Sequence, residues 1–225
     1  EWKCIERAQR IAEDVLKQLL VKCRAGVTEK ALAGDLLRAI ETAGGDGPSF
    51  DPIVASGPNA ALPHAVPTDR RIRRGDFVIF DMGVRLDGYC SDMTRTVVVG
   101  KATDRQREVY ETVLAAQKRA IKKVAPDVRC RTVDRAARSW IEKRGFGKAF
   151  GHGTGHGVGL EVHEFPRLST RSEDSLRRGM VVTIEPGIYI RGWGGVRIED
   201  MVLVRKSGRR NLTDFPSKLT EIEAD

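Results

Sequence analysis

The sequence predicts an α+β fold in which two pseudo-symmetric helix-helix-sheet halves, roughly residues 1–100 and 101–225, pack as one domain. Three observations carry this. Two long amphipathic segments open the chain and strand-like runs follow them; the same order recurs after residue 100; and the halves match in detail. RRGDFVIFDMG (residues 73–83) mirrors RRGMVVTIEPG (residues 177–187): each has RRG, an apolar run, an acid six residues after the glycine, and another glycine two further on. HAVP at His64 mirrors HEFP at His163, and SDMTRTVVV near Asp92 mirrors IEDMVLVRK near Glu199. Two copies are too few for a solenoid, so the halves are expected to face each other across a pseudo-two-fold axis.

The elements follow in chain order. Ile5, Ala8, Ile11, Ala12, Val15, Leu16 and Leu19 recur at helical spacing. Leu32, Leu36, Leu37 and Ile40 do the same in a second helix, with Thr28 placed as its N-cap. DPIVAS, DFVIFDMGV and TRTVVVG read as strands. Thr103 and Gln106 have capping-box spacing before REVYETVLAAQKRAIKKV. A fourth helix carries Val133, Ala137 and Ile141, and GMVVTIEPGIYI and GVRIEDMVLV read as the closing strands.

Composition narrows the class. At 40% hydrophobic and 31% charged the chain can fill a core and is not of the disordered type. No apolar run reaches membrane-spanning length, and EWKCIERAQR lacks a signal-peptide apolar region. Cys4, Cys23, Cys90 and Cys130 are scattered without CxxC spacing, which argues against a zinc ribbon or disulfide scaffold and for reduced thiols in the cytoplasm. The net charge of +8 is spread along helices and mixed with acids, without a basic block, and reads as solvated surface rather than a nucleic-acid footprint.

The acids are less ordinary. Asp81 and Glu185 each end an apolar strand, where a carboxylate needs a cation, a hydrogen-bond partner or a raised pKa. One such acid reads as a turn cap; two in mirrored positions, with Asp92 and Glu199 also mirrored, read as a site. Three of the four histidines crowd into GHGTGHGVGLEVHE, residues 151–164, as His152, His156 and His163. Glycine there makes an HExxH-type helix a poor reading and lets the backbone pass close to metals and substrate. Four carboxylates and one imidazole suit two divalent cations, with Mn, Fe, Co or Zn favoured over soft-metal chemistry. Two cations sharing a water acidify it into a nucleophile near neutral pH. The remaining histidines are then free to surround the reacting carbonyl.

ALPH, FDMGVRLDGYCSDMTRT, GHGTGHGVGLEVHE, TIEPG and GVRIED together resemble the pita-bread metallopeptidases, the family of methionine aminopeptidase, aminopeptidase P and prolidase. The resemblance runs over nearly the whole chain and implies a curved antiparallel sheet between the two halves. It implies Asp81, Asp92, His156, Glu185 and Glu199 as metal ligands, with Asp92 and Glu199 bridging, Asp81 completing one ion and His156 with Glu185 the other. Glu185 would also take the proton of the nucleophilic water. His64 and His163 match histidines that contact substrate and tetrahedral intermediate. Arg197 and His152 match the proline-specific branch and join the catalytic set.

The expected activity is therefore metal-dependent hydrolysis of the N-terminal Xaa-Pro bond of dipeptides or short peptides, with two Mn²⁺ ions favoured and Co, Zn or Fe as alternatives. The expected partners are short peptides with proline in second position, with neither nucleic acid nor membrane; a homodimer is the assembly considered. The separate N-terminal domain usual in proline-specific members is expected to be absent. Methionine aminopeptidase, a catalytically inactive binding module and a creatinase-type hydrolase are the alternative readings.

Overall fold

The computed structural model describes residues 1–223. Helices α1 (Trp2–Lys22) and α2 (Glu29–Thr42) open the first half. Strands β1 (Gly47–Pro48), β2 (Ile53–Ser56), β3 (Phe77–Met82), β4 (Val84–Leu86), β5 (Tyr89–Cys90) and β6 (Met93–Val99) follow. The second half repeats the order with α3 (Asp104–Lys123), α4 (Cys130–Lys143), β7 (Gly155–Gly157), β8 (Glu164–Leu168) and β9 (Val181–Ile184). It continues through β10 (Gly187–Ile190), β11 (Gly194–Arg197), β12 (Asp200–Val204) and β13 (Arg209–Asn211) to β14 (Thr220–Ile222).

Each half carries one main sheet. The first has the order β14-β6-β3-β2, the second β13-β12-β9-β7-β8. Pairing is antiparallel except that β14, from the end of the chain, runs parallel to β6. Two small sheets, β1-β4-β5 and β10-β11, complete the set. Helices α1 and α2 bury Leu16 and Leu36 with Phe80; α3 and α4 bury Tyr110 and Val133 with Ile184. Fully burying one such side chain contributes about 1.5–3 kcal/mol, far more than helix propensity supplies per residue.

Local signals in the sequence are realised. Thr28 Oγ1 accepts from Ala31 N at 3.1 Å, and Thr103 with Gln106 forms the capping box. Leu37 is the exception: it is 37% exposed, one residue off the buried stripe of Leu32, Leu36 and Ile40. The long strand-like runs also differ from expectation, because each is broken. GMVVTIEPGIYI splits into β9 and β10 at Glu185–Pro186, where proline has no N–H to give a ladder. GVRIEDMVLV splits into β11 and β12 at Ile198–Glu199. DFVIFDMGV splits at Gly83, where a Cβ would lie 1.9 Å from the Ser91 carbonyl oxygen. Glu185 and Glu199 thus sit where the chain leaves one sheet for another.

Arg95 ties the halves together. Its guanidinium is buried and donates to the carbonyls of Thr94 and Glu199 (2.9 and 2.6 Å), to those of Phe215 and Pro216 (2.7 and 3.0 Å), and to Asp200 Oδ1 (2.8 Å). All five N–H groups can be satisfied, which is the condition for a buried charge to be tolerated. Arg95→Met is expected to lower stability by about 3–5 kcal/mol, because Asp200 and four carbonyls lose their donor. Urea unfolding checks this; a midpoint within error of the parent would show that the contacts are dispensable.

Candidate metal centre and catalytic cavity

The five candidate ligands come from both halves and line one cavity of about 450 Å³. Asp81 stands on β3 opposite Thr94. Asp92 immediately precedes β6, and Glu185 and Glu199 lie at the two strand breaks. Asp92, His156 and Glu199 form the tightest group: one ligand atom of each lies within 4.8 Å of the others. Asp81 is turned toward Arg197, whose Nη2 donates to its Oδ2 at 2.6 Å, and Glu185 is turned toward His156, with Oε1 3.2 Å from Nε2.

His156 is placed by the glycines on either side of it. A Cβ at Gly155 would lie 1.9 Å from the Thr183 carbonyl oxygen, and one at Gly157 would lie 2.2 Å from that of Phe165. Only glycine lets β7 sit between β8 and β9 and deliver an imidazole to the acids. His156 Nδ1 is 3.0 Å from the Gly157 carbonyl, so it carries a proton. Nε2 then faces Glu185 and Asp92 Oδ2, the latter at 3.6 Å, where a bound cation would take its lone pair in place of a proton.

The charges are unbalanced in a way that fits bound cations. Burial raises Asp92 and Glu199 well above the usual carboxylate range, and the neighbouring acids add to it. Burial raises Asp81 too, against the opposing pull of Arg197. Burial also pushes Glu185 upward, but the hydrogen bond and charge of His156 outweigh it and hold Glu185 at about 2. Oδ1 of Asp81 and Oδ1 of Asp92 are buried without a hydrogen-bond partner. Orphaned buried oxygens are rare in proteins, and a hard, oxygen-seeking divalent ion answers them directly.

Hydroxyls and a guanidinium orient these acids. Thr94 Oγ1 donates to Glu199 Oε2 at 2.6 Å, and Thr183 Oγ1 donates to Glu185 Oε1 at 3.2 Å. Arg197 is buried, and besides Asp81 it donates to Thr94 Oγ1 (3.0 Å), Tyr189 Oη (2.8 Å) and the Pro63 carbonyl (3.2 Å). Its donors are thus directed into the protein.

The other histidines also line the cavity. His163 is exposed, its ring centroid 4.4 Å from that of His156. Burial and the charge of His156 lower its pKa, so at neutral pH it is a neutral donor. His64 is exposed on the segment between Ser56 and Thr68. Both ends of that segment are held by the buried Glu29 of α2, through the Ser56 amide (2.7 Å) and the Thr68 hydroxyl (2.6 Å). His152 is set back, with Nε2 2.9 Å from Tyr189 Oη. Tyr189, Thr94 and Arg167, which also reach this region, were not legible as site residues in the sequence. Tyr189 alternates within GIYI like any strand residue, and Arg167 resembles any surface cation.

Comparison with known proteins places the chain in a family. The model of metallopeptidase family M24 matches residues 3–206. The Xaa-Pro dipeptidases of Pyrococcus horikoshii and Pyrococcus furiosus are each 46% identical over 219 residues, 97% of this chain. The match spans 62% and 63% of their own lengths, less than two thirds of either relative. Among solved structures, the Pyrococcus furiosus prolidase superimposes with a TM-score of 0.94 at 45% identity, covering 96% of this chain and 64% of that one. The X-Pro aminopeptidase of Thermotoga maritima superimposes with a TM-score of 0.97 at 40% identity, covering 99% and 63%. With the family model matched over most of its length and the pita-bread architecture shared with these structures, the chain belongs to metallopeptidase family M24.

Proposed function

We propose that the chain is a metallo-exopeptidase that hydrolyses the N-terminal Xaa-Pro bond of dipeptides or short peptides. The observation that carries this is the cavity itself: four carboxylates and one imidazole from both halves, two carboxylate oxygens without partners, and histidines at the rim. The names of the similar dipeptidases and aminopeptidase supply the substrate class.

Asp81, Asp92, His156, Glu185 and Glu199 would hold two divalent cations, with Mn²⁺ favoured by the oxygen-rich donor set and Co, Zn or Fe as alternatives. When bound, such ions supply Lewis acidity toward a carbonyl and lower the pKa of water. The protein's own groups then divide the remaining work. Glu185, ionised at neutral pH, can accept the proton that water gives up. His163 and His64 stand where an N–H can meet charge developing on the scissile carbonyl oxygen, the place where a donor counts most. Arg197 holds Asp81 in place through its 2.6 Å contact. The proline nitrogen of an Xaa-Pro bond carries no N–H, so the bound substrate needs no acceptor there, and on leaving it would take up the proton that Glu185 accepted from water. Arg167 adds a cation to the cavity wall that a peptide's C-terminal carboxylate can pair with. The four unpaired cysteines, with burial pushing the Cys23 thiol up to about 12, suit a reducing compartment such as the cytoplasm. Among the described residues no helix is long and apolar enough to cross a membrane.

The test is a mass-spectrometric cleavage assay with Mn²⁺-loaded protein on Ala-Pro, Ala-Pro-Ala and Met-Ala-Ser, with and without chelator. Cleavage of the proline peptides alone, lost on chelation, is the expected result, and the dipeptide-to-tripeptide ratio then separates dipeptidase from aminopeptidase preference. Cleavage of Met-Ala-Ser alone would replace the proposal with a methionine aminopeptidase. Metal bound without any cleavage would count against Xaa-Pro hydrolysis, and neither metal nor cleavage would favour a binding module.

A further inference from the structure

Helix α4 carries a buried ion pair that the mechanism above does not use. Asp134 is fully buried, and Arg138, one turn on, keeps a side chain 19% exposed. The pair is bidentate: Arg138 Nε and Nη2 each donate to one Asp134 oxygen at 2.9 Å. Neither residue stops there. Arg138 Nη2 also donates to the His152 carbonyl at 2.7 Å, and Nη1 to the Phe150 carbonyl at 3.1 Å. Asp134 Oδ1 accepts from the Thr154 hydroxyl at 2.8 Å and from its amide at 3.2 Å. Residues 150–154 lie outside any strand or helix. Thr154 is also held by backbone bonds, its N–H donating to the Leu168 carbonyl at 2.7 Å and its carbonyl accepting from the Glu185 N–H at 2.8 Å, and the α4 pair adds the contacts to the carbonyls of Phe150 and His152.

What that loop presents is His152. Its Nδ1 lies 2.7 Å from the Gly153 carbonyl, which can only accept, so Nδ1 carries the proton. Nε2 of the neutral ring therefore accepts from Tyr189 O–H at 2.9 Å, and the Tyr189 oxygen accepts from Arg197 at 2.8 Å. Every hydrogen bond from Arg197 through Tyr189 and His152 to Gly153 then has a fixed direction. Phe150 braces the ring edge-on at 5.2 Å, while Arg138 lies 4.2 Å over the Phe150 ring. A lysine at 138 would keep the charge but could not span a carboxylate and two carbonyls at once.

We propose that Asp134 and Arg138 are positioning residues: they fix the backbone of residues 150–154 so that His152, through Tyr189, holds Arg197 against Asp81. The effect on turnover rests on the peptidase reading above; the effect on His152 does not.

The experiment has two arms, both on the full chain. The first is ¹⁵N NMR of histidine-labelled protein with and without Zn²⁺, a diamagnetic ion, with His152 assigned through His152→Gln. The parent should show His152 as the Nδ1–H tautomer, and Arg138→Lys should convert it to a mixture. The second is kinetics on Ala-Pro. Arg138→Lys should lower kcat by about ten- to a hundredfold, the scale of an ångström-sized misplacement, with KM and metal content little changed. In a His152→Gln background the same substitution should change kcat by less than about twofold, since coupled residues are not additive. A parent-like His152 signal in Arg138→Lys, or full additivity with His152→Gln, overturns the proposal. If Arg138→Lys does not fold, Thr154→Val removes the hydroxyl contact to Asp134 at nearly constant volume and carries the same two readouts. If the parent cleaves no proline peptide, the peptidase reading fails and the NMR arm alone decides.

Discussion

Asp81→Asn is expected to lower turnover about a thousandfold or more and to lose bound metal, whereas His163→Ala is expected to lose turnover with metal retained. The two residues line the same cavity, yet they occupy it differently. Asp81 points one oxygen at Arg197 and leaves the other buried and unpartnered, which suits the ligand role proposed for it. Asparagine keeps its shape but withdraws a charge from the ligand set, and lost Lewis-acid stabilisation of several kcal/mol multiplies by ten for every 1.36 kcal/mol or so. Alanine at 81 is the poorer variant, since it leaves Arg197 without its carboxylate, and breaking a buried pair costs about 3–5 kcal/mol of stability. His163 is exposed, beside His156 rather than among the tight ligand group. Removing a donor aimed at a developing oxyanion costs about 10²–10³ in kcat and leaves the metal alone. Metal analysis by mass spectrometry beside kcat on Ala-Pro separates the two. An Asp81→Asn protein active in chelated buffer, or a His163→Ala protein that loses its metal, would refute the division of roles.

The difference between what was legible in the sequence and what was not follows the range of the interactions. Thr28 and the Thr103–Gln106 box could be read because an N-cap is settled within four residues. The four acids of the cavity could be read because mirrored acids at matched spacing are improbable otherwise, whereas His156 was singled out among the histidines by the family resemblance. Glu185 could be read as the end of an apolar strand, but the break at Ile198–Glu199 was hidden, since apolar residues continue through it although the chain changes sheets. The parallel return of β14 to β6 depends on a contact across more than a hundred residues. The groups around the ligands were hidden for a similar reason. Asp134 and Arg138 have the spacing of an ordinary surface pair on a helix, and nothing local reveals that they face residues 150–154. Arg95 likewise belongs to the +8 balance read as solvated surface, yet it is buried; Arg197, buried too, was singled out by the family resemblance and by no local signal.

The metal-free protein should be least stable, relative to its metal-loaded form, at neutral rather than acid pH. Burial raises the folded pKa of Asp92, Glu199 and Asp81, so between the unfolded carboxylate range, about 4, and those raised values the folded state binds more protons than the unfolded one. Stability then falls as pH rises through that window, because its slope follows the unfolded-minus-folded proton count. Glu185 runs the other way: held at about 2, its contribution is complete above the unfolded carboxylate range and is lost as pH falls toward 2. The site's net contribution in the absence of metal therefore peaks near the unfolded carboxylate range and declines toward pH 7. Divalent cations at the proposed site are expected to reverse the decline by replacing protons on Asp92 and Glu199. At about a hundred times Kd a ligand stabilises the folded state by about 2.7 kcal/mol, roughly 5–10 °C in Tm for a chain of this size. Calorimetric titration with Mn²⁺ in two buffers of different ionisation enthalpy, just above the unfolded carboxylate range, should also register proton release. Loading that releases no protons, or a Tm gain that shrinks as pH rises from 5 to 7, would mean that Asp92 and Glu199 are not the groups the cations meet.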